Sequence, residues 1–328
     1  MYAPLMDSTD AIKLRTATPA DIDTIADVWT AFMVDEPEDP VLLEHTWSTR
    51  DPERPDEDLV IEIGGRAIGH AILERAHWHE DPDRRCFILP ALLPQHEHLA
   101  PRVYDALEGR AMDQGARVLQ TAAPAAHPSR VDLVLGRGYV HERSYTGWRL
   151  DLEKHGRRLR EWALESGRRM ERQNIRLLTF DRHLAAGRME NLHDAYEEGR
   201  ADAPRGNAYV RMTPEAFRAH IASPGLREDR IWIAVRDSEI LGLSMLIYPP
   251  VRGHVWTDWT GIVRSARGQG VARALKLATL VQAMDLGITS VRTSNASENL
   301  PVIHLNRVFG YEEIPHFVHY SRAATAPG

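Results

Sequence analysis

Apolar positions along this 328-residue chain follow two spacings, one of strands and one of helices. Ile12-Lys13-Leu14-Arg15 alternates apolar and polar residues, the period of a half-buried strand, and Ile22, Ile25, Ala26 and Trp29 then recur at helical spacing. Ile61-Glu62-Ile63 turns at Gly64-Gly65 into Ala67 to Leu73, which predicts a β-hairpin. The order returns in the second half. Ile175 to Leu178 predicts a strand, Met189 to Tyr196 a helix, and Ile231 to Val235 a strand that turns at Arg236-Asp237-Ser238-Glu239 into another ending at Ile247.

The two halves are also related residue by residue. Ala111-Met112-Asp113-Gln114-Gly115 comes back 172 positions later as Ala283-Met284-Asp285-Leu286-Gly287, and the same ungapped offset carries Thr121 onto Thr293 and Gly138-Tyr139 onto Gly310-Tyr311. Each half thus predicts strand, helix, hairpin, strand, loop, helix, strand, helix, strand, an α+β layout with one mixed sheet covered by helices. The length agrees with two domains. We place them at 10–153 and 174–328. The stretch 154–173 between them carries Arg157, Arg158, Arg160, Arg168, Arg169 and Arg172 beside Leu159 and Trp162, and predicts an exposed connecting helix with a solvated basic face.

Composition narrows the function. Forty-seven acidic against forty basic residues leave a net charge of −7, which repels a polyphosphate backbone, so no nucleic-acid partner is expected. No apolar run approaches the roughly 20 residues that span a bilayer, and the first ten residues lack a signal-peptide layout. A cytoplasmic protein without a membrane partner is the expectation. The single Cys86 excludes an internal disulfide, and His77/His79 and His96/His98 lack a third ligand and read as solvated loops, so no metal is expected.

The chemistry concentrates in one stretch. Thr257 to Val263 is β-branched and aromatic and predicts a strand; Arg267-Gly268-Gln269-Gly270 follows, then the helix from Val271 to Ala278. A strand, a glycine loop and a helix start point free N–H groups and a positive helix end at an anion. There is no G-x-x-x-x-G-K-[ST], and Arg273 stands where a dinucleotide fingerprint needs a small residue, so nucleotide hydrolysis and NAD binding are excluded.

The stretch Arg267-x-x-Gly270-x-Ala272 resembles the R/Q-x-x-G-x-G/A signature of the GNAT N-acetyltransferases. The strand Ser290 to Thr293, Asn295 to Asn299 and Phe309-Gly310-Tyr311 follow in that family's order. The resemblance covers the second half fully and the first in outline, and implies two tandem GNAT acyl-CoA N-acyltransferase domains. Its implied co-substrate is acetyl-CoA, and its implied partner a small-molecule amine. Ile262 and Val263 would then hold the pantetheine arm through their main chains, and Arg267, Gly268, Gln269, Gly270, Val271 and Ala272 the pyrophosphate. Asn299 would bond the arm, or cap the helix Leu300 to Val308, or both.

Amine acetylation needs a neutral amine, and a lysine-type pKa near 10.4 makes that cost more than about 4 kcal/mol at neutral pH. The resemblance implies a carboxylate base on the strand before the loop. Asp258 is the only one there, and simple alternation sets it on the face of Thr260 and Ile262; a structural role bonded to a loop is the competing reading. The family's tyrosine acid, four residues before the glycine of Gly310-Tyr311, is replaced by Asn306, which cannot donate a proton as an acid but can bond the sulfur or the arm. Direct attack in a ternary complex is expected, since Cys86 lies in the other half. The acidic run Tyr196 to Pro204 reads either as a wall for a cationic acceptor or as a surface loop.

In the first half the offset lands the loop on Gln95-His96-Glu97-His98-Leu99-Ala100, with both glycines replaced by histidine. Asn299 maps to His127 and Asn306 to Val134, so this half is expected to be a degenerate copy. Three activities remain open: an N-acetyltransferase for a small amine, transfer of a larger acyl group or to a sugar or thiol acceptor, and a non-catalytic acyl-CoA sensor.

Overall fold

The computed structural model describes residues 11–183, 187–203 and 209–324, and the chain divides into two compact units. Of the described residues, unit 1 comprises 11–144, Val251–Gly253 and 317–324, and unit 2 those within 145–250 and His254–His316.

Unit 1 runs β1 (Lys13–Thr16), α1 (Ile22–Phe32), α2 (Pro40–Thr49), β2 (Glu57–Ile63), β3 (Arg66–Glu74), β4 (Arg85–Leu92), α3 (Ala100–Asp113), β5 (Val118–Pro124), α4 (Pro128–Gly136) and the first part of β6 (Val140–Asp151). Its sheet is ordered β1-β2-β3-β4-β5-β13-β6, with β13 (Phe317–Ala323) supplied by the far end of the chain. The hairpin read from Ile61 to Leu73 is β2–β3, and Leu59, Ile61, Leu73, Ile88 and Leu119 of this sheet bury against Val103, Tyr104 and Leu107 of α3.

Unit 2 holds the second part of β6, α5 (Leu152–Arg172), β7 (Arg176–Thr179), α6 (Arg188–Ala201), α7 (Pro214–Ile221), β8 (Trp232–Arg236), β9 (Glu239–Ile247), β10 (Val255–Ile262), α8 (Val271–Asp285), β11 (Ser290–Ala296), α9 (Leu300–Phe309) and β12 (Glu312–Ile314). The sheet order is β7-β8-β9-β10-β11-β6, with β12 also on β6. Only β10 and β11 pair in parallel; the others are antiparallel, so the mixed α+β sheet expected from the pattern is present.

Three differences from the sequence reading have physical causes. The segment expected as an exposed connector is α5, whose Leu152, Gly156, Leu159, Ser166 and Met170 form a buried stripe; Leu159 lies in one apolar cluster with Leu277 and Leu280 of α8. The final strand belongs to unit 1, where β13 pairs β5 over seven residues, a long-range partnership that local periodicity does not encode. Two helices, α2 and α7, have no counterpart among the elements that the periodicity predicts. Both start with a capping residue followed by proline: Asp39 accepts from the N–H of Val41 and Leu42, and Thr213 from that of Ala216.

Two close approaches set the position of β10. Gly242 of β9 sits where a Cβ would lie 2.7 Å from the Gly261 carbonyl oxygen, and a Cβ on Gly199 of α6 would lie 3.2 Å from Gly261 Cα. Gly242→Ala therefore forces backbone to move, and we expect it to cost about 1–3 kcal/mol, seen as a lower melting temperature than wild type; an unchanged melt would contradict this packing.

Candidate active site

The ladder around β10 opens at one point. With β9 the strand pairs from Trp256↔Ile247 to Ile262↔Gly242, but with β11 it pairs only at Val255↔Val291 and Trp256↔Arg292. Beyond Trp256 the side of β10 that faces β11 is unpaired. Val263 donates its N–H to Leu241 O (2.9 Å) and accepts from Ala266 N–H (3.1 Å), so ladder alternation turns the main-chain groups of Ile262 away from β9 and toward the opening. Of the two residues expected to bond a pantetheine arm, Ile262 has its N–H to offer, its carbonyl accepting from Arg267; the groups of Val263 are engaged within the chain.

The loop and helix after β10 complete the opening. Gly268 (φ 75°) and Gly270 (φ 90°) are both left-handed, a conformation that costs other residues roughly 1–2 kcal/mol. Among the described residues, no hydrogen bond engages the main-chain N–H of Gly268, Gln269, Gly270, Val271, Ala272 or Arg273, and Gly270 caps α8 without a side-chain bond. Six consecutive free donors at a helix start form an anion cradle. Around them, Gln173 donates to Gln269 O (3.3 Å), Arg236 to Gln269 Oε1 (2.9 Å), and a Cβ on Gly270 would lie 3.3 Å from Arg169 Cζ. Arg169 was read as part of a solvated face. Its place beside the loop follows from α5 packing on α8, which no local pattern announces.

Arg267 bonds Ile262 O (3.3 Å) and Asp202 (2.7 Å), and Asp202 also receives Arg264, which holds its carboxyl well below the usual range, Arg264 first and Arg267 second. The acidic run Tyr196 to Pro204 was expected after a helix, but α6 continues to Ala201, and Pro204 lies outside the described residues. Its acids are engaged within the chain. Burial works against ionised Glu197, yet hydrogen bonds from Tyr209, Arg200 and the Met212 N–H keep its carboxyl low, while Glu198 accepts from the Arg264 N–H (2.6 Å).

Asp258 does not follow the expected alternation. Register shifts between Thr257 and Trp259, so Asp258 is the extra residue of a β-bulge, which resets the faces of the strand. It bonds His220 Nε2 of α7 at 3.0 Å. His220 lies 6.0 Å from the Tyr196 ring, and Trp259 lies 5.7 Å from that ring, so Asp258 meets the helical side of Tyr196 and Trp259. His220 was missed because nothing local ties α7 to β10.

Asn299 begins α9 but makes no capping bond with its side chain. Asn306 is fully buried, accepts from Lys276 Nζ (2.9 Å) and donates to Asn295 (3.2 Å). Lys276 and Asn295 were not singled out by sequence, although a lysine on the core face of α8 breaks the apolar pattern.

Unit 1 keeps the parting, β4 leaving β5 after Ile88↔Thr121, but lacks the loop. Residues Pro94–Leu99 form a 3-10 helix, and Glu97 pairs with the buried Arg130 (2.7 Å). Cys86 is buried, and burial pushes its thiol up to about 12, which removes it as a nucleophile.

Residues 192–311 match the Acetyltransferase (GNAT) family model. No curated protein sequence matches the chain. Among solved structures, a tandem GNAT protein from the clavulanic acid biosynthesis pathway, determined without acetyl-CoA, superposes with a TM-score of 0.71 at 16% identity, covering 97% of this chain and 100% of that one. A GCN5-related N-acetyltransferase from Sphaerobacter thermophilus gives 0.65 at 17% identity, covering 96% of each chain. The glucosamine N-acetyltransferase region of a fungal multi-domain β-N-acetylglucosaminidase also gives 0.65, at 11% identity, covering 95% of this chain and 38% of that one. The whole chain therefore has the tandem GNAT fold. Among the described residues no helix is long and apolar enough to cross a membrane.

Gly270→His copies the residue that unit 1 carries at 98. We expect it to weaken coenzyme A binding at least about 100-fold by calorimetry, because a side chain enters the cradle and several charge-assisted bonds of about 1.5–3 kcal/mol each are lost. Far-ultraviolet circular dichroism should be unchanged; retained affinity would contradict the cradle.

Proposed function

From the match of residues 192–311 to the Acetyltransferase (GNAT) family model, we propose that this protein is an acetyl-CoA-dependent N-acetyltransferase for a small-molecule amine. The observation that carries the reading is the row of six free N–H groups from Gly268 to Arg273, set at the end of the strand edge that β10 leaves unpaired. A diphosphate fits the cradle with Arg169 beside it, and a pantetheine arm fits the Ile262 N–H and the β10 edge left unpaired beyond Trp256, with Asn299 as a further amide for the arm. Unit 1 has a 3-10 helix and an internal Glu97–Arg130 pair in place of the glycine loop, which supports one acetyl-CoA per chain.

Asp258 and His220 would take up the proton that the acceptor amine loses. The bond between them holds the imidazole in one orientation, and a positioned base of this kind contributes about 10²–10⁴-fold. Attack is direct, because the only cysteine is buried in unit 1 with a raised pKa. The acceptor class rests on the family rather than on the acidic run, whose carboxylates are already paired. A second reading, a non-catalytic acyl-CoA sensor, is favoured by Asn306 standing where the family has a tyrosine acid.

Release of free thiol from acetyl-CoA across a panel of amines separates the two. We expect turnover with at least one small amine; tight binding with no turnover for any acceptor would favour the sensor. With an active amine in hand, Asp258→Asn should lower kcat by about 10²-fold or more. An unchanged kcat would show that Asp258 is structural.

A further inference from the structure

Where β10 and β11 part, unit 2 buries a group of polar side chains that the reading above does not use. Lys276 of α8 is 3% exposed and donates to Asn306 Oδ1 at 2.9 Å, with its ammonium 4.9 Å from the Tyr311 ring centroid. Asn306 donates on to Asn295 of β11, and Asn295 to the Ala296 carbonyl. Thr257 Oγ1, one residue past the last β10–β11 pair, and the Tyr311 hydroxyl are buried without a hydrogen bond of normal geometry.

Among the described residues no carboxylate joins this group. A lysine ammonium has three donors, Asn306 takes one, and the remaining neighbours are neutral. Burial alone pushes Lys276 down to about 8, and Tyr311 is the only titratable group against it among the described residues, its phenol raised by burial and so neutral across the working range. A buried cation without a counter-charge is costly for a fold. Unit 1 shows that the fold does not need one: the offset of 172 places Tyr104 there, which bonds Thr121 at 3.0 Å.

The position gives the charge a use. From Ile262 back to Thr257 β10 covers about 13 Å, four partner steps at roughly 3.3 Å once the bulge at Asp258 is allowed for, and at the Thr257 end lies Tyr311, whose ring is 4.9 Å from the Lys276 ammonium. An extended pantetheine arm spans a comparable distance, so a coenzyme A diphosphate on the cradle brings its sulfur to the parted strands. We propose that Lys276 is the proton donor to the coenzyme A sulfur and the counter-charge that holds it as a thiolate. This rests on the acetyl-CoA reading. As the amine nitrogen bonds the acetyl carbon, the carbon–sulfur bond breaks with its electron pair on sulfur, and one Nζ proton passes to sulfur to give the free thiol. The amine's own proton leaves through Asp258 and His220, and neutral Lys276 regains a proton from solvent when the product departs. Asn306, at the position of the family's tyrosine, positions the lysine.

The test needs no acceptor. Coenzyme A is bound to the full chain and to Lys276→Met, and the ultraviolet absorbance of its thiolate is followed against pH, with desulfo-coenzyme A as the control ligand. The bound thiol should titrate at least about one pH unit lower in wild type than in the variant, roughly tenfold more thiolate at a given pH between the two midpoints. Desulfo-coenzyme A should bind both equally. The variant should melt no lower than wild type below about pH 8, since Lys276 is charged more readily unfolded than folded and its penalty fades only as pH rises from about 8 toward 10.5. Should the variant not fold, the wild-type preference for coenzyme A over desulfo-coenzyme A must still grow about tenfold as the bound thiol ionises; a flat ratio overturns the proposal. Equal thiol titration in both proteins overturns the role of Lys276 and leaves the cofactor reading standing. Failure of wild type to bind either ligand overturns both.

Discussion

The parting of β10 from β11 after Trp256 and Arg292 is the constraint on which the rest of unit 2 depends. A parallel pair that stops after two residues leaves a run of main-chain donors and acceptors without partners, a cost the fold accepts only where something else can use them. Everything that faces the gap is built around it. The β-bulge at Asp258 redirects that side chain to His220, Gly242 and Gly199 let neighbouring backbone close on Gly261 from two elements, and the left-handed glycines at 268 and 270 turn the next amides outward.

Unit 1 shows the same parting without the rest of the site. There β4 leaves β5 after Ile88↔Thr121, but a 3-10 helix replaces the glycine loop, and the Glu97–Arg130 pair satisfies itself inside the protein. Tyr104 bonds Thr121 in place of a buried charge. Both units keep the sheet and the parting, so the glycine loop with its free amides and Lys276 are features of a site and not requirements of the architecture.

Much of this was legible in the residues because it is local. Hairpins, the amphipathic helices and the loop from Arg267 to Ala272 each announce themselves within a dozen positions, and the offset of 172 multiplied their force by showing one intact and one altered copy. Features built by long-range pairing were not legible. The exchange of β13 into unit 1, the burial of α5 against α8 and the approach of His220 to Asp258 join residues far apart in sequence, and the bulge at Asp258 defeats an alternation argument that is sound for a regular strand. Asn306 was noticed for what it lacks. Its meaning came from Lys276, which periodicity alone files as one more core-facing position of a helix.

The structure of the full chain crystallised with coenzyme A tests the central claim most directly. The account predicts one coenzyme A per chain, its diphosphate on the N–H groups of Gly268 to Arg273 and its arm along Ile262. A coenzyme A bound in unit 1, or one whose diphosphate lies away from that cradle, would contradict it.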